Sequence, residues 1–339
     1  MPIVTTEHFK SGNLPLSKNG IPQVSEDDYC RLKGYMLETD DIVFSRVGSV
    51  DINAHVEHVQ QGWLFSGRVL RVRPIKSVNS LCLHYVLSTE SVKRDIRNRA
   101  VGQTMPSINT PILSNTGIYM SQSEAEQKKI ANLLSIIDER ISTQNKIIED
   151  LKKLKSAISK KLLCNDKWTT YKIQDIAEIG RGRVISSVEI DRQKHPLYPV
   201  YSSQTSNNGI MGYLDNYMFD GEYITWTTDG ANAGTVFYRK GKFNCTNVCG
   251  TLKILPKFDC YFVSLVLQQA TQKYVSSNLA NPKLMNNTMA SIKIRMPNIE
   301  TQKQLSKVFQ TLDSCLLVHQ RTCKMYLSEK QYLLRQMFI

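Results

Sequence analysis

Between Ile130 and Leu163, in "IANLLSIIDERISTQNKIIEDLKKLKSAISKKLL", apolar residues return at steps of four and three. Ile130, Leu134, Ile137, Ile141, Ile148, Leu151, Ile158 and Leu162 fall on one seam. Such spacing predicts a single long helix with an apolar stripe, about 60 Å long if it runs for about 40 residues. Gln144 and Lys155 occupy two positions of the same seam. A polar side chain in a heptad seam lowers stability but fixes register and orientation.

Shifted by 175 residues, the sequence repeats this helix. "EQKKIANLLSIIDERI" (Glu126–Ile141) lies over "TQKQLSKVFQTLDSCL" (Thr301–Leu316), and the second seam reads Leu305, Phe309, Leu312, Leu316, His319, Cys323, Tyr326, Lys330, Leu333, Met337. His319 falls on Gln144 and Lys330 on Lys155, so both polar interruptions recur in register. Each helix is therefore expected to pack against its own copy. An antiparallel seam, centred between the polar positions, predicts Gln144 opposite Lys330 and Lys155 opposite His319.

The segments between the helices repeat too. At an offset of 182, "YMLETDDIVFSRVGS" (Tyr35–Ser49) aligns without gaps on "YMFDGEYITWTTDGA" (Tyr217–Ala231), and "RVLRVRP" (Arg68–Pro74) on "GTLKILP" (Gly250–Pro256). "MPSIN" (Met105–Asn109) falls near "PKLMN" (Pro282–Asn286) at an offset of 177. Changing offsets mark small insertions in surface loops. Runs such as "DIVFS" and "EYITWTT", bounded by Gly, Asn and Asp, read as strands. "LCLHYVLSTESVKRDIRNRA" (Leu81–Ala100) and "CYFVSLVLQQATQKYVSS" (Cys260–Ser277) have helical spacing. The expected fold class is α+β: two mixed units separated by two long helices that form an antiparallel coiled coil. The second unit opens with "WTTYKIQDIAEIGRGRVISSVEIDRQKHPLYPV" (Trp168–Val200), whereas the first begins at "MPIV" with no counterpart of about thirty residues. The first unit is accordingly expected to be incomplete at its front, or completed by something else.

Charge narrows the class of partner. The formal net charge is +13, and an excess of that size points toward a polyanion. Lys+Arg exceed Asp+Glu by 13 to 11 in residues 1–123, 9 to 6 in 124–163, 15 to 10 in 164–298 and 6 to 3 in 299–339. The excess thus lies over folded segments and not in a basic tail. No run reaches the roughly 18 apolar residues of a membrane span, and the opening "MPIVTTEHFK" has no apolar signal core. A cytoplasmic protein with no membrane association is expected. Among eight scattered cysteines the nearest pair, Cys245 and Cys249, lacks the further ligands a zinc site needs, so free thiols and no metal are expected.

With "EQKKIANLLSIID" opening one helix, "IQDIAEIGRGR" (Ile173–Arg183) opening a unit, "DDIVFSRVGS" (Asp40–Ser49), and "MPNIETQKQL" (Met296–Leu305) at a unit–helix boundary, the chain resembles the specificity (S) subunit of type I restriction–modification enzymes over nearly its whole length. The resemblance implies a non-catalytic protein without cofactors that reads a bipartite, asymmetric site in double-stranded DNA. Residues 1–122 and 166–297 would be target-recognition domains, the first N-terminally incomplete, and 123–165 and 298–339 the spacer helices. Two modification (methyltransferase) subunits would dock on the helices, and restriction (motor-nuclease) subunits would join them.

Duplex readers need donors on turns that enter a groove, flanked by cations for phosphates. Ser45, Arg46, Gly48 and Ser49 follow an apolar strand, and Arg suits bidentate contact with guanine. Thr227, Thr228, Asp229 and Asn232 occupy the corresponding turn of the second unit. Gln103, Ser107 and Asn109 in one unit, and Lys283 and Asn286 in the other, lie on polar loops after the helical stretches. Ser203 and Gln204 sit in the polar "YSSQTSNN" loop, and Lys93, Arg94, Arg97, Arg181 and Arg183 are candidate phosphate binders.

Catalytic centres are missing from the pattern. Asn281-Pro282-Lys283-Leu284 is the nearest approach to an amino-methylation motif and lacks its second proline and its aromatic. There is no P-loop and no nucleophile elbow. Two other readings stay open on the sequence: a stand-alone, truncated or silent DNA-binding protein, and a coiled-coil scaffold whose globular ends bind proteins.

Overall fold

Alternation and β-branching place the strands. In the computed structural model, which describes residues 1–163, 166–276 and 281–338, β1 (Ile42–Ser45) is buried along its length and pairs antiparallel on both sides. Its neighbours are β2 (Asn53–His55) and β3 (Val69–Val72), with Ile42 opposite Val72 and Phe44 opposite Leu70. Two helices pack on this sheet, α1 (Ser80–Leu87) and α2 (Glu90–Arg99). The stretch Leu81–Ala100, expected to be helical, is interrupted at Ser88–Thr89, where the buried Thr89 hydroxyl donates to Val86 O at 2.7 Å. Asn79 starts α1 by accepting from Cys82 N at 2.9 Å, satisfying one of the free amides of the first turn. A second cluster, with Val4, Phe9, Leu37, Val43 and Trp63, lies beneath the short parallel pair Ile3–Val4 and Leu64–Phe65.

The first long helix is α3 (Glu124–Leu162). Beyond it, β4 (Thr169–Lys172) and β5 (Ala177–Arg181) precede β6 (Glu222–Thr227), β7 (Val236–Lys240) and β8 (Cys249–Ile254). The main antiparallel sheet runs β7-β6-β8-β5, with α4 (Cys260–Ala270) packed against it. β9 (Lys293–Met296) pairs with β4, and the second long helix, α5 (Ile299–Met337), follows. A separate three-stranded sheet joins Tyr198–Tyr201, Ile210–Leu214 and Asn244–Cys245. Ser277, the last residue of the second expected helical stretch, lies outside the described residues, as do 164–165, where the first spacer was expected to end.

The repeat survives in three dimensions with one adjustment. Trp226 stands opposite Gly250, and Phe44 opposite Leu70. Strand pairing therefore equates β3 with β8 at an offset of 180, two residues from the expected alignment of Arg68–Pro74. Bulk explains the exchange: a Cβ on Gly250 would lie 2.2 Å from the Trp226 ring.

The chain forms two compact units, Met1–Lys146 with His319–Ile339, and Ile147–Val318, so each unit takes half of each long helix. Inside the first unit, α3 and α5 run antiparallel. Asp138 meets Lys330, Arg140 meets Tyr326, and Gln144 meets His319. Inside the second, Lys155 pairs with Asp313. The expected pairing of Gln144 with Lys330 and Lys155 with His319 is thus wrong. The helices slide by about one heptad from it, to a register in which each lysine reaches a carboxylate. Lys330 Nζ lies 2.6 and 2.8 Å from the two Asp138 oxygens. A half-buried ammonium opposite an amide or an imidazole would lack a counter-charge, which the observed register provides. Gln144 and His319 meet each other instead, His319 Nδ1 lying 2.7 Å from Gln144 Oε1.

Each ion pair is extended by a tyrosine from a shorter helix of the same unit. Tyr85 OH donates to Asp138 at 2.9 Å, and Tyr261 OH donates to Asp313 at 2.5 Å. Burial and the neighbouring carboxylate push both phenols up, so they remain donors. A second repeated device anchors each helix start. Gln127 accepts from Asn79 N at 2.7 Å, and Gln302 accepts from Asp259 N at 2.9 Å.

Candidate nucleic-acid interface

At the end of β1 the chain turns sharply through Arg46–Ser49. Gly48 has φ of +83° and its counterpart Gly230 +94°, a conformation that side chains with a Cβ rarely adopt. Each turn is tied to a second loop by equivalent main-chain bonds. Gly48 N donates to Pro106 O at 2.8 Å, and Gly230 N to Pro282 O at 3.0 Å. Ile108 N donates to Arg46 O, and Leu284 N to Thr228 O, both at 2.9 Å. A third turn joins in the same way: Arg46 N donates to Arg68 O, and Thr228 N to Val248 O, again at 2.9 Å. Three loops therefore converge in each unit on one scaffold. The third is not among the candidates read from the sequence, where Arg68–Pro74 served only to align the repeat; its signal is Gly67, which precedes Arg68 at the turn.

In the first unit the scaffold carries two exposed cations, Arg46 and Arg68, neither in an ion pair among the described residues. Arg46 is exposed, and its guanidinium touches only Gly67 O, at 3.3 Å, among the described hydrogen bonds. With Gly67, Val101, Ser107, Asn109 and Ile112 it lines a depression of about 460 Å³. Gly48, Ser49 and Gln103 on the same turns are exposed. Ser107 Oγ donates to Val101 O at 3.3 Å, which closes the loop on itself.

In the second unit one carboxylate faces two cations. Asp229 lies 3.3 Å from Arg181 Nη2 and 3.7 Å from Lys283 Nζ. Asn232 is exposed and reaches Ser203 O at 3.4 Å, which brings the "YSSQTSNN" loop to the same place. Gln204 donates to Ile210 O and shapes that loop.

Several candidates have structural duties instead. Ser45, Thr227 and Thr228 are buried, because the strand ends sink their hydroxyls beneath the turns. Ser45 Oγ donates to Val47 O at 3.2 Å, and Thr228 Oγ1 to Asp229 at 2.6 Å. Asn109 caps the short helix Thr110–Ser114 by accepting from Ile112 N at 2.9 Å. Arg181 is spent on Asn247 O at 2.6 Å, Thr228 at 2.9 Å and Asp229. Arg183 is held by Glu189, and Arg97 by Asp51 and Glu90. Asn286 is half-buried, with its amide nitrogen 3.4 Å from Gly180 O. Lys93 and Arg94 lie on α2, and no ion pair involves them among the described residues. Arg46, Gly48, Ser49, Gln103, Asn232 and Lys283 remain as outward-facing groups.

Cys245 and Cys249 are buried free thiols, and burial pushes Cys249 up to about 11. No group of residues able to hold a metal occurs among the described residues. No helix among them is long and apolar enough to cross a membrane.

A family model described as the type I restriction modification DNA specificity domain matches residues 1–153 and again 165–324. The chain belongs to this family. The two matches follow the repeat, each covering one globular segment with most of the helix after it. Among specificity subunits of Mycoplasma pneumoniae, one is 38% identical over 185 residues, 54% of this chain and 77% of that protein. The specificity subunit of the type I restriction enzyme MpnII is 42% identical over 145 residues, covering 42% of this chain and 43% of its own. The crystal structure of a type I restriction–modification S subunit from M. genitalium matches with a TM-score of 0.70 at 18% identity. That match covers 90% of this chain and 84% of the other, a likeness of fold.

Proposed function

We propose that this specificity-family chain is the DNA-reading subunit of a type I restriction–modification complex, with each unit contacting one half of a bipartite, asymmetric site. The carrying observation is the three-loop scaffold, built by the same main-chain bonds in both units but bearing different side chains. Arg46, Ser49 and Gln103 furnish it in one unit, and Asn232, Lys283 and Asp229 in the other. Two readers of different half-sites need a shared frame with exchanged donors, because sequence is read by side chains on base edges while position is set by the frame. The chain's own role is recognition, and chemistry comes from partners. Residues 123–165 and 298–339 act as the spacer between recognition domains 1–122 and 166–297. They also dock two modification subunits, to which restriction subunits add. Lys93 and Arg94 supply phosphate contacts outside the loops.

Co-expression with the cognate modification subunit, followed by single-molecule mapping of methylated bases, tests this. Methylation of one split, asymmetric motif that vanishes without this chain is expected. Binding of the assembled complex to duplex should weaken steeply with salt. A complex that methylates identically without the chain would overturn the proposal. A protein scaffold alone would show neither response.

A further inference from the structure

The two units differ most where the second is filled by Thr169–Arg181. There β4 pairs antiparallel with β9, and β5 pairs antiparallel with the outer edge of β8. Between these strands Ile173 and Ile176, both fully buried, sink into the core beside Ala177. The same places in the first unit are open. β3, the counterpart of β8, ends its sheet, and its outer edge pairs with no strand among the described residues. Gly117–Met120, the counterpart of β9, forms no ladder. Ile118 is 38% exposed where its equivalent Ile294 is 3% exposed. Leu70 and Val72 of β3 are half-buried, whereas Leu252 of β8 is fully buried. Leu70, Val72, Leu83, Leu87, Leu113 and Ile118 line the resulting groove of about 330 Å³.

An unpaired strand edge beside an apolar groove is a template for an added strand, whose main chain pairs with the edge while alternate side chains fill the groove. We propose that this edge and groove of the first unit bind a strand–turn–strand polypeptide segment of the Thr169–Arg181 kind. The second unit defines the occupant's chemistry. It is an extended segment antiparallel to β3, with apolar residues spaced as in "IQDIAEI" (Ile173–Ile179) and a second strand laid along Gly117–Met120. A second copy of this chain is a poorer source, since its own Thr169–Arg181 is already paired within its second unit.

The test adds a synthetic peptide of residues 166–183 to the full chain and follows amide exchange. One-to-one binding is expected, with at least tenfold slower exchange at 69–72 and 117–120 and no change at 249–254. Peptides carrying Ile173→Asp or Ile176→Asp should bind at least tenfold more weakly, and Ile118→Asp in the protein, at an exposed position, should do the same. In a second arm, the same segment is tethered flexibly behind Ile339, which raises its effective concentration. Absence of protection in both arms would overturn the proposal. So would protection of these amides by self-association of the chain alone, because the occupant would then be a second copy.

Discussion

Buried His84 shows how a single side chain sets the pH response of the first unit. Its Nδ1 lies 2.6 Å from Asn53 Oδ1, and Asn53 Nδ2 donates to Ser88 Oγ at 3.2 Å. Burial, with His55, Lys330 and Lys93 nearby, pulls its pKa from the ordinary value down to about 3. The folded state therefore keeps His84 neutral while the unfolded chain protonates it near pH 6.5. Below that pH the unfolded state binds more protons, so stability falls as pH drops toward 3, with a slope of up to about 1.4 kcal/mol per pH unit. His55, also lowered mainly by burial, adds in the same direction, although Asp40 opposes the shift. Urea unfolding at pH 7 and pH 4.5 measures this. His84→Gln is expected to lose about 2 kcal/mol less than the parent between the two pH values. Equal losses would place the acid sensitivity elsewhere.

At the scale of elements, the long helices turn on a distinction between seam and flank. Heptad spacing located both helices and both polar interruptions, because an apolar stripe is a property of the local chain. Partner choice was not legible in the same way. Asp138 and Asp313 flank the seam instead of lying in it, so no count of seam positions reveals them as partners of Lys330 and Lys155. Likewise, the turns at Arg46 and Asp229 could be read from Gly48 and Gly230, while the burial of Ser45, Thr227 and Thr228 depends on loops far along the chain. A double-mutant cycle at Asp138 and Lys330 should give a coupling of about 1–2 kcal/mol, since both side chains are less than a third exposed. Asp138→Ala alone strands the lysine and should cost about 2 kcal/mol. By contrast, Gln144→Leu with His319→Leu is expected to leave the register intact and raise the thermal midpoint, because the ion pairs hold the alignment. Cross-linking of cysteines placed at Arg140 and Tyr326 reports the register directly. Loss of that cross-link in the double-leucine variant would show that the central polar pair holds it instead.

For the whole molecule, the repeat makes recognition separable. Each three-loop scaffold is closed by main-chain bonds inside its own unit, so replacing a side chain on one leaves the hydrogen-bonded frame of the other untouched. Arg46 presents a guanidinium in no ion pair among the described residues, whereas Asp229 holds Lys283 at 3.7 Å and tempers its charge. The half-site read by the first unit should therefore depend more sharply on one residue. Arg46→Ala is expected to relax the methylated motif at one or two positions of a single half, costing about 1–3 kcal/mol of discrimination there. Lys283→Ala should act on the other half and more weakly, because part of its charge is already neutralised. Asp229→Asn should strengthen duplex binding while blurring the second half-site, since it frees Lys283 and loosens Arg181 from its brace. Mapping the methylated motif for each variant in the co-expressed complex separates these effects. If Arg46→Ala altered bases in both halves equally, the two scaffolds could not be independent readers.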